Sequence, residues 1–234
     1  MRTSTIVILG TVIATAVFAQ EQAPDKRLLH AATAIAAIQT SEKPIPPVLF
    51  AKAQCVIIIP GLIKGAFLFG GKYGKGFASC RRPGTWSAPA AMTIEGGSFG
   101  SQLGGTAVDL VVLVMNRSGM DHLLKDKFTF GADIAVVQGN GFDATANSDV
   151  FMRAPMISWS RAKGLFVGMS LEGASLRPDK GENRKLYGRD IANPEILTKK
   201  TAPPKGARPF IAALNKAAPN KPVAKAKVVV KEAK

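Results

Sequence analysis

The chain has 234 residues, of which 47% are hydrophobic and 20% charged, and its formal net charge is +15. That length suits one domain with appendages, and the apolar fraction excludes a wholly disordered chain. Two cysteines and two histidines exclude a zinc site of the usual spacing.

The charge is spread unevenly. Residues 199–234 carry ten Lys or Arg and one Glu, whereas residues 20–198 carry twenty against fifteen Asp or Glu. From Lys199 the composition turns to Ala, Pro and Lys, and this tail is expected to be disordered because it has little apolar surface to bury. Such a tail attracts anionic membranes, nucleic acid or acidic polymers without telling them apart.

In chain order, the first residues read as an export signal. Arg2 precedes an apolar run, Ile6–Phe18, and Val17 and Ala19 stand before a cut at Gln20. The expectation is a signal peptide over residues 1–19, a folded body over residues 20–198 and a tail over residues 199–234. The protein would be exported, periplasmic or secreted, and peripherally membrane-associated. Asp25–Gln39 places Leu28, Ala31, Ala32, Ile35 and Ile38 on one side at helical spacing, and the prolines at 44, 46 and 47 end that helix. A further helical turn is expected over Pro47–Ala53. Cys55–Ile59 reads as a continuous apolar strand stopped by Pro60-Gly61.

Short strands follow near Ala66–Gly71, Gly76–Arg82 and Ala90–Gly97, with glycine turns between them. Gly104–Met115 is rich in valine and reads as a long central strand. Ser118 can cap a short helix running to about Lys125. Two more strands are expected near Ala132–Val137 and Ile157–Ser160, with Leu165–Leu171 folding back across Lys163. Arg177–Leu197 is polar and reads as loop. The fold class is α+β: a glycine-rich antiparallel sheet, curled toward a barrel, with an N-terminal helix and a short internal helix packed on it.

Lys64, Lys72, Lys75, Arg81 and Arg82 are the only charged residues between Lys64 and Glu95. Clustered cations beside glycine turns suit phosphate groups, which accept hydrogen bonds from Lys, Arg and free backbone N–H. These five are therefore the candidate headgroup ligands, with Lys163 as a sixth. Trp86 is either a packing residue or an indole at a lipid interface. Cys55 and Cys80 are either bridged or two small buried hydrophobes.

Five blocks carry a resemblance to a known family. They are Gly70–Phe77 (GGKYGKGF), Thr85–Pro89 (TWSAP), Gly96–Gly104 (GGSFGSQLG), the Ile45-Pro46-Pro47 run and Ser160–Gly173 (SRAKGLFVGMSLEG). In this order they are similar to the lipid-binding SYLF domain, whose relatives include yeast actin-patch proteins, and they cover roughly residues 25–197. The resemblance implies binding to phosphoinositides and other anionic lipids, and actin binding in some members, with no enzymatic activity and no cofactor. The export signal points to an exported bacterial-type member and to an envelope lipid as target. The alternative is a structural cell-envelope module whose basic tail grips a polyanion. Specific nucleic-acid binding is not expected.

One motif competes with this reading. Gly96, Ser98 and Gly100 satisfy G-x-S-x-G, the nucleophile elbow of hydrolases, which requires a following helix and a later acid and His. The next residues are glycine-rich and then strand-like, and the only later histidine is His122. No hydrolytic activity is expected at Ser98.

Overall fold

The structure is a computed structural model. It describes residues 23–42, 44–67, 69–98, 104–139, 153–162, 165–166 and 170–218. The export-signal region and the end of the tail lie outside the described residues.

Helix α1 (Pro24–Gln39) and the short α2 (Pro47–Lys52) precede a hairpin of two long strands, β1 (Cys55–Phe67) and β2 (Phe69–Arg82). A two-residue β3 (Thr85–Trp86) leads to β4 (Ala90–Ser98) and β5 (Gly104–Val114). Then come α3 (Arg117–Leu123), β6 (Phe128–Thr129), β7 (Val136–Gln138), β8 (Met156–Ala162), β9 (Leu165–Phe166) and β10 (Ser175–Pro178). Helices α4 (Lys180–Tyr187), α5 (Asn193–Thr198) and α6 (Arg208–Ala217) complete the described chain, with a 3-10 turn at Lys205–Ala207 before α6. The strand path is β6-β10-β4-β2-β1-β5-β8-β7, with β3 on β2 and β9 on β8. Among the described residues every named-strand pairing is antiparallel except β7 with β8.

The expected α+β architecture is the one observed. Strand β1 shows why its sequence is a continuous apolar run. Cys55, Ile57 and Ile59 point into one buried cluster, while Val56 and Ile58 point into a second on the opposite face. Strand residues alternate faces, so a strand covered on both sides cannot show polar alternation. The first cluster joins Phe128 and Leu176 at one end of the strand path to Met156 near the other. The sheet therefore curls around this cluster into a half-barrel. The second cluster lies under helices. Leu28, Ile35 and Ile38 of α1, Phe50 of α2, and Phe210 and Leu214 of α6 pack there on Phe77, Val111, Leu113 and Ile157.

Pro60-Gly61 does not stop β1. The strand runs through it to Phe67, with register shifts against β2 and β5 at that point. Proline has no N–H to lose where the ladder is already broken, and Gly61 takes φ +61°, so the pair forms a bulge rather than an end. The strand expected over Ala66–Gly71 instead spans the β1–β2 hairpin, where Phe67 pairs with Phe69.

Two polar stretches are ordered against expectation. Arg177–Leu197 holds the end of β10, α4 and most of α5. Asn183 and Asn193, both buried, take up the backbone of Ala91: Asn183 Oδ1 accepts from its N–H at 2.8 Å, and Asn193 Nδ2 donates to its carbonyl at 3.1 Å. Buried amides are stable when satisfied in this way. The tail is also ordered as far as Ala218, because Ala207, Phe210 and Leu214 form a helical apolar stripe that α6 buries on α1 and Phe77. Lysine and alanine dominate the tail's composition and mask that stripe.

Gly76 marks a close approach between strands. A Cβ at this position would lie 1.9 Å from the carbonyl oxygen of Ile58, and backbone cannot give way as a side chain does. Gly76→Ala is expected to cost about 2–3 kcal/mol of stability, measured by urea unfolding. A loss under about 0.5 kcal/mol, the range of an ordinary surface change, would show that the β1–β2 hairpin is not held at this spacing.

Candidate anion-binding cleft

Alternation along β2 separates the basic residues that the sequence places together. Ala78 and Cys80 belong to the half-barrel interior and Phe77 to the helix-covered face. By the same period, Lys72 and Arg82 turn toward the interior side, and Lys75 and Arg81 toward the helix side.

Lys64 and Lys72 face each other across β1 and β2, close to the hairpin end of the sheet. Lys64 is exposed. Lys72 is only 7% exposed, and its Nζ donates to the carbonyl of Ser170 at 2.7 Å. Burial, and next the neighbouring Lys64, push its ammonium below the ordinary lysine range, against the pull of Glu172. Lys75 is half-buried and lies 3.1 Å from Asp179 Oδ2. Burial pushes the Asp179 carboxyl up, but the Glu182 amide and Lys75 outweigh it and hold the carboxyl below its ordinary value.

Arg81 and Arg82 sit at the other end of β2. Arg81 Nε donates to Ala53 O at 2.9 Å and its Nη2 to Phe50 O at 2.6 Å, while its guanidinium stacks over the Trp86 ring at 4.6 Å. Arg82 Nη2 donates to Leu197 O at 3.3 Å and to Lys199 O. Each arginine thus covers carbonyls at the C-terminal end of a helix, α2 for Arg81 and α5 for Arg82, where partial negative charge collects. Trp86 is 2% exposed and packs edge-on against Phe50, which places the indole in the core and away from any lipid surface. Cys55 and Cys80 are register partners and their sulfurs are bonded. Lys163 lies outside the described residues.

Between these two helix ends opens a cleft of about 390 Å³. Lys52, Arg81 and Arg82 line it, Cys80, Met120 and Leu197 contribute apolar surface, and among the described residues no carboxylate lines it. Of the five predicted headgroup ligands among the described residues, Arg81 and Arg82 meet here. Lys52 is the residue that sequence reasoning missed. Its signal is its place in the last turn of α2, three residues before a strand whose partner ends in Arg-Arg. Ser98 ends β4, and the next described element is a strand. Among the described residues, no group of three or more His, Cys, Asp or Glu could hold a metal ion.

The family described as Ysc84, Las17-binding protein actin regulator, matches residues 95–217, more than half of the chain. The chain belongs to this family. The match ends with the last residue of α6, so this family's pattern includes the C-terminal helix along with the strands from β5 onward. Similar relatives include an SH3 domain-containing protein of Schizosaccharomyces pombe, 33% identical over 180 residues, 75% of this chain and 42% of the relative. LAS seventeen-binding protein 3 of Saccharomyces cerevisiae is 30% identical over 185 residues, 77% of this chain and 40% of the relative. SH3 domain-containing YSC84-like protein 1 of Xenopus laevis is 35% identical over 176 residues, 73% of this chain and 52% of the relative. The chain thus spans about half or less of the length of these relatives.

These relatives also correct the expected location. The reading of an exported bacterial-type protein, with a signal peptide and a periplasmic or secreted destination, is overturned by a family described as an actin regulator, since actin regulation takes place inside cells. The leader pattern consists of one basic residue, one apolar run and two small residues. So few requirements are met by many apolar N-terminal runs. Among the described residues, no helix is long and apolar enough to cross a membrane.

Proposed function

We propose that the folded domain is a non-catalytic module that binds anionic lipid surfaces through phosphate-bearing headgroups, of the phosphoinositide kind or others. The observation that carries this reading is the cleft that gathers Lys52, Arg81 and Arg82, with no carboxylate in its lining among the described residues. The two arginines neutralise the helix-end carbonyls that would otherwise repel an anion. Guanidinium groups also match phosphate geometry, offering several N–H donors in one plane. Lys64 adds a cation at the hairpin end of the sheet, and Lys163 is retained as a candidate on the β8–β9 connection. Lys72, Lys75, Arg81 and Arg82 are each engaged within the protein as well.

Beyond Ala218 the chain carries five more lysines and one glutamate, which add to the attraction for an anionic surface. The test is co-sedimentation with phosphatidylcholine vesicles, with and without phosphatidylinositol bisphosphate. The full chain is expected to sediment only with the anionic vesicles. A chain ending at Ala218 is expected to bind more weakly, but to lose less of its binding as salt rises, because it carries fewer cations whose attraction salt can screen. If the shortened chain never sediments, the basic tail gripping a polyanion becomes the reading. A second partner class is favoured by the family's description as an actin regulator: contact with actin or with Las17-like proteins, tested by co-sedimentation with actin filaments.

A further inference from the structure

A second cleft, of about 380 Å³, opens between α1 and the outer face of the sheet, away from the cationic cleft. His30, Thr33, Ala34 and Ala37 of α1 form one wall, and the Pro60-Gly61 bulge, Asp109 and Arg161 form the other. Asp109 on β5 and Arg161 on β8 are direct register partners, so their side chains leave the same face of the sheet side by side. An ion pair is the expected outcome for such neighbours, yet none forms. The bulge explains this. Gly61, at φ +61°, presents its N–H outward, and Asp109 Oδ1 accepts from it at 3.0 Å. The carboxylate is drawn toward the bulge, and the buried Nε of Arg161 is left without a hydrogen-bond partner among the described residues.

A buried donor of a charged group without a partner is costly, and the residue that carries it lines an open cleft. We propose that this cleft binds a small zwitterion, a phosphate monoester carrying a primary ammonium group, as in a phosphoethanolamine moiety. Arg161 takes the phosphate oxygens and the carboxylate of Asp109 takes the ammonium. The adjacent carboxylate sets the selectivity, because it repels an oxyanion that brings no cation of its own. The small side chains of Ala34 and Ala37 leave the room. The same chemistry is carried by a free metabolite and by a lipid headgroup.

The experiment is NMR titration of the full chain with O-phosphoethanolamine, inorganic phosphate and ethanolamine. The wild type is expected to bind phosphoethanolamine more tightly than either fragment. Arg161→Gln is expected to weaken that binding about tenfold or more. Asp109→Asn keeps an oxygen for Gly61 and is expected to bind inorganic phosphate and phosphoethanolamine equally. Thr33→Phe, on the exposed side of α1, closes the mouth and serves as a blocking variant independent of the charges; thermal unfolding checks that each variant is folded. Sedimentation with neutral vesicles containing phosphatidylethanolamine, but not with phosphatidylcholine alone, identifies the lipid as source. Binding of the free compound alone identifies a soluble ligand. The proposal is overturned if the wild type does not bind phosphoethanolamine at millimolar concentration, if it prefers inorganic phosphate, or if folded Arg161→Gln binds as the wild type does.

Discussion

Replacing Arg27 by alanine is expected to destabilise the domain by about 3–5 kcal/mol at neutral pH, and by clearly less as the pH is lowered. Arg27 of α1 is 7% exposed and pairs with Glu182 of α4, which is 2% exposed. The pair clamps the first helix to a helix more than 150 residues later in the chain. The second oxygen of Glu182, Oε2, is buried without a hydrogen-bond partner among the described residues, so Arg27 is its main compensation. Removing the arginine leaves a carboxylate in the interior.

The direction of the pH effect follows from Glu182. Burial raises its carboxyl above the ordinary value, against the opposing pull of Arg27 and Lys75. A carboxyl that is raised in the folded state binds more protons there than in the unfolded chain. Stability from this group therefore grows as pH falls through the raised value and is lost as pH rises. Without Arg27 the rise is larger and the slope steeper, so acid partly rescues the variant. Urea unfolding over a pH series measures this. A deficit that stays constant with pH, or one below about 1 kcal/mol as for an exposed pair, would show that Glu182 is solvated. Replacing both partners together by apolar residues of similar size is expected to be close to neutral, since the interior charge is then gone.

The double variant Lys52→Gln, Arg82→Gln is expected to lower affinity for anionic vesicles about thirtyfold. Each cation near an anionic surface contributes about 1 kcal/mol, and about 1.4 kcal/mol is a factor of ten. Lys52 is exposed and Arg82 half-exposed, but Arg82 also holds Leu197 O and Lys199 O, so circular dichroism and thermal unfolding are measured alongside to separate lost binding from lost fold. Arg81→Gln is the contrasting case. Its guanidinium holds Phe50 O and Ala53 O and covers Trp86, so the variant should lose stability along with binding. A charge reversal of Lys72, Lys75, Arg81 and Arg82 together would disrupt the fold and say nothing about lipid. If the double variant binds as the wild type does while Lys64→Gln abolishes binding, the lipid surface lies at the hairpin end and the cleft is not the site.

The sequence by itself determined the class of fold. Helical spacing over Asp25–Gln39 and the apolar runs at Cys55–Ile59 and Gly104–Met115 are local patterns, and they depend only on which faces of one element must be buried. Its five ordered blocks also pointed to the family. The candidate site was legible only as a list of cations. Lys64, Lys72, Lys75, Arg81 and Arg82 are near neighbours in the chain, but strand alternation sends them to two faces, and the length of β2 sends them to two ends. Lys52 joins Arg81 and Arg82 only because α2 ends beside the start of β1, which pairs with the end of β2.

Tertiary structure alone decided which polar segments are core. Asn183, Asn193 and Glu182 read as surface residues, because a sequence records that a group is polar but not whether a partner awaits it. Their partners, Ala91 and Arg27, are at least 90 residues away in the chain. The C-terminal helix was hidden for a related reason. Its apolar stripe is short and becomes stabilising only once α1 and Phe77 present a surface for it. The free energy of a short amphipathic helix comes from what it packs on rather than from its own residues, and that surface exists only in the folded molecule.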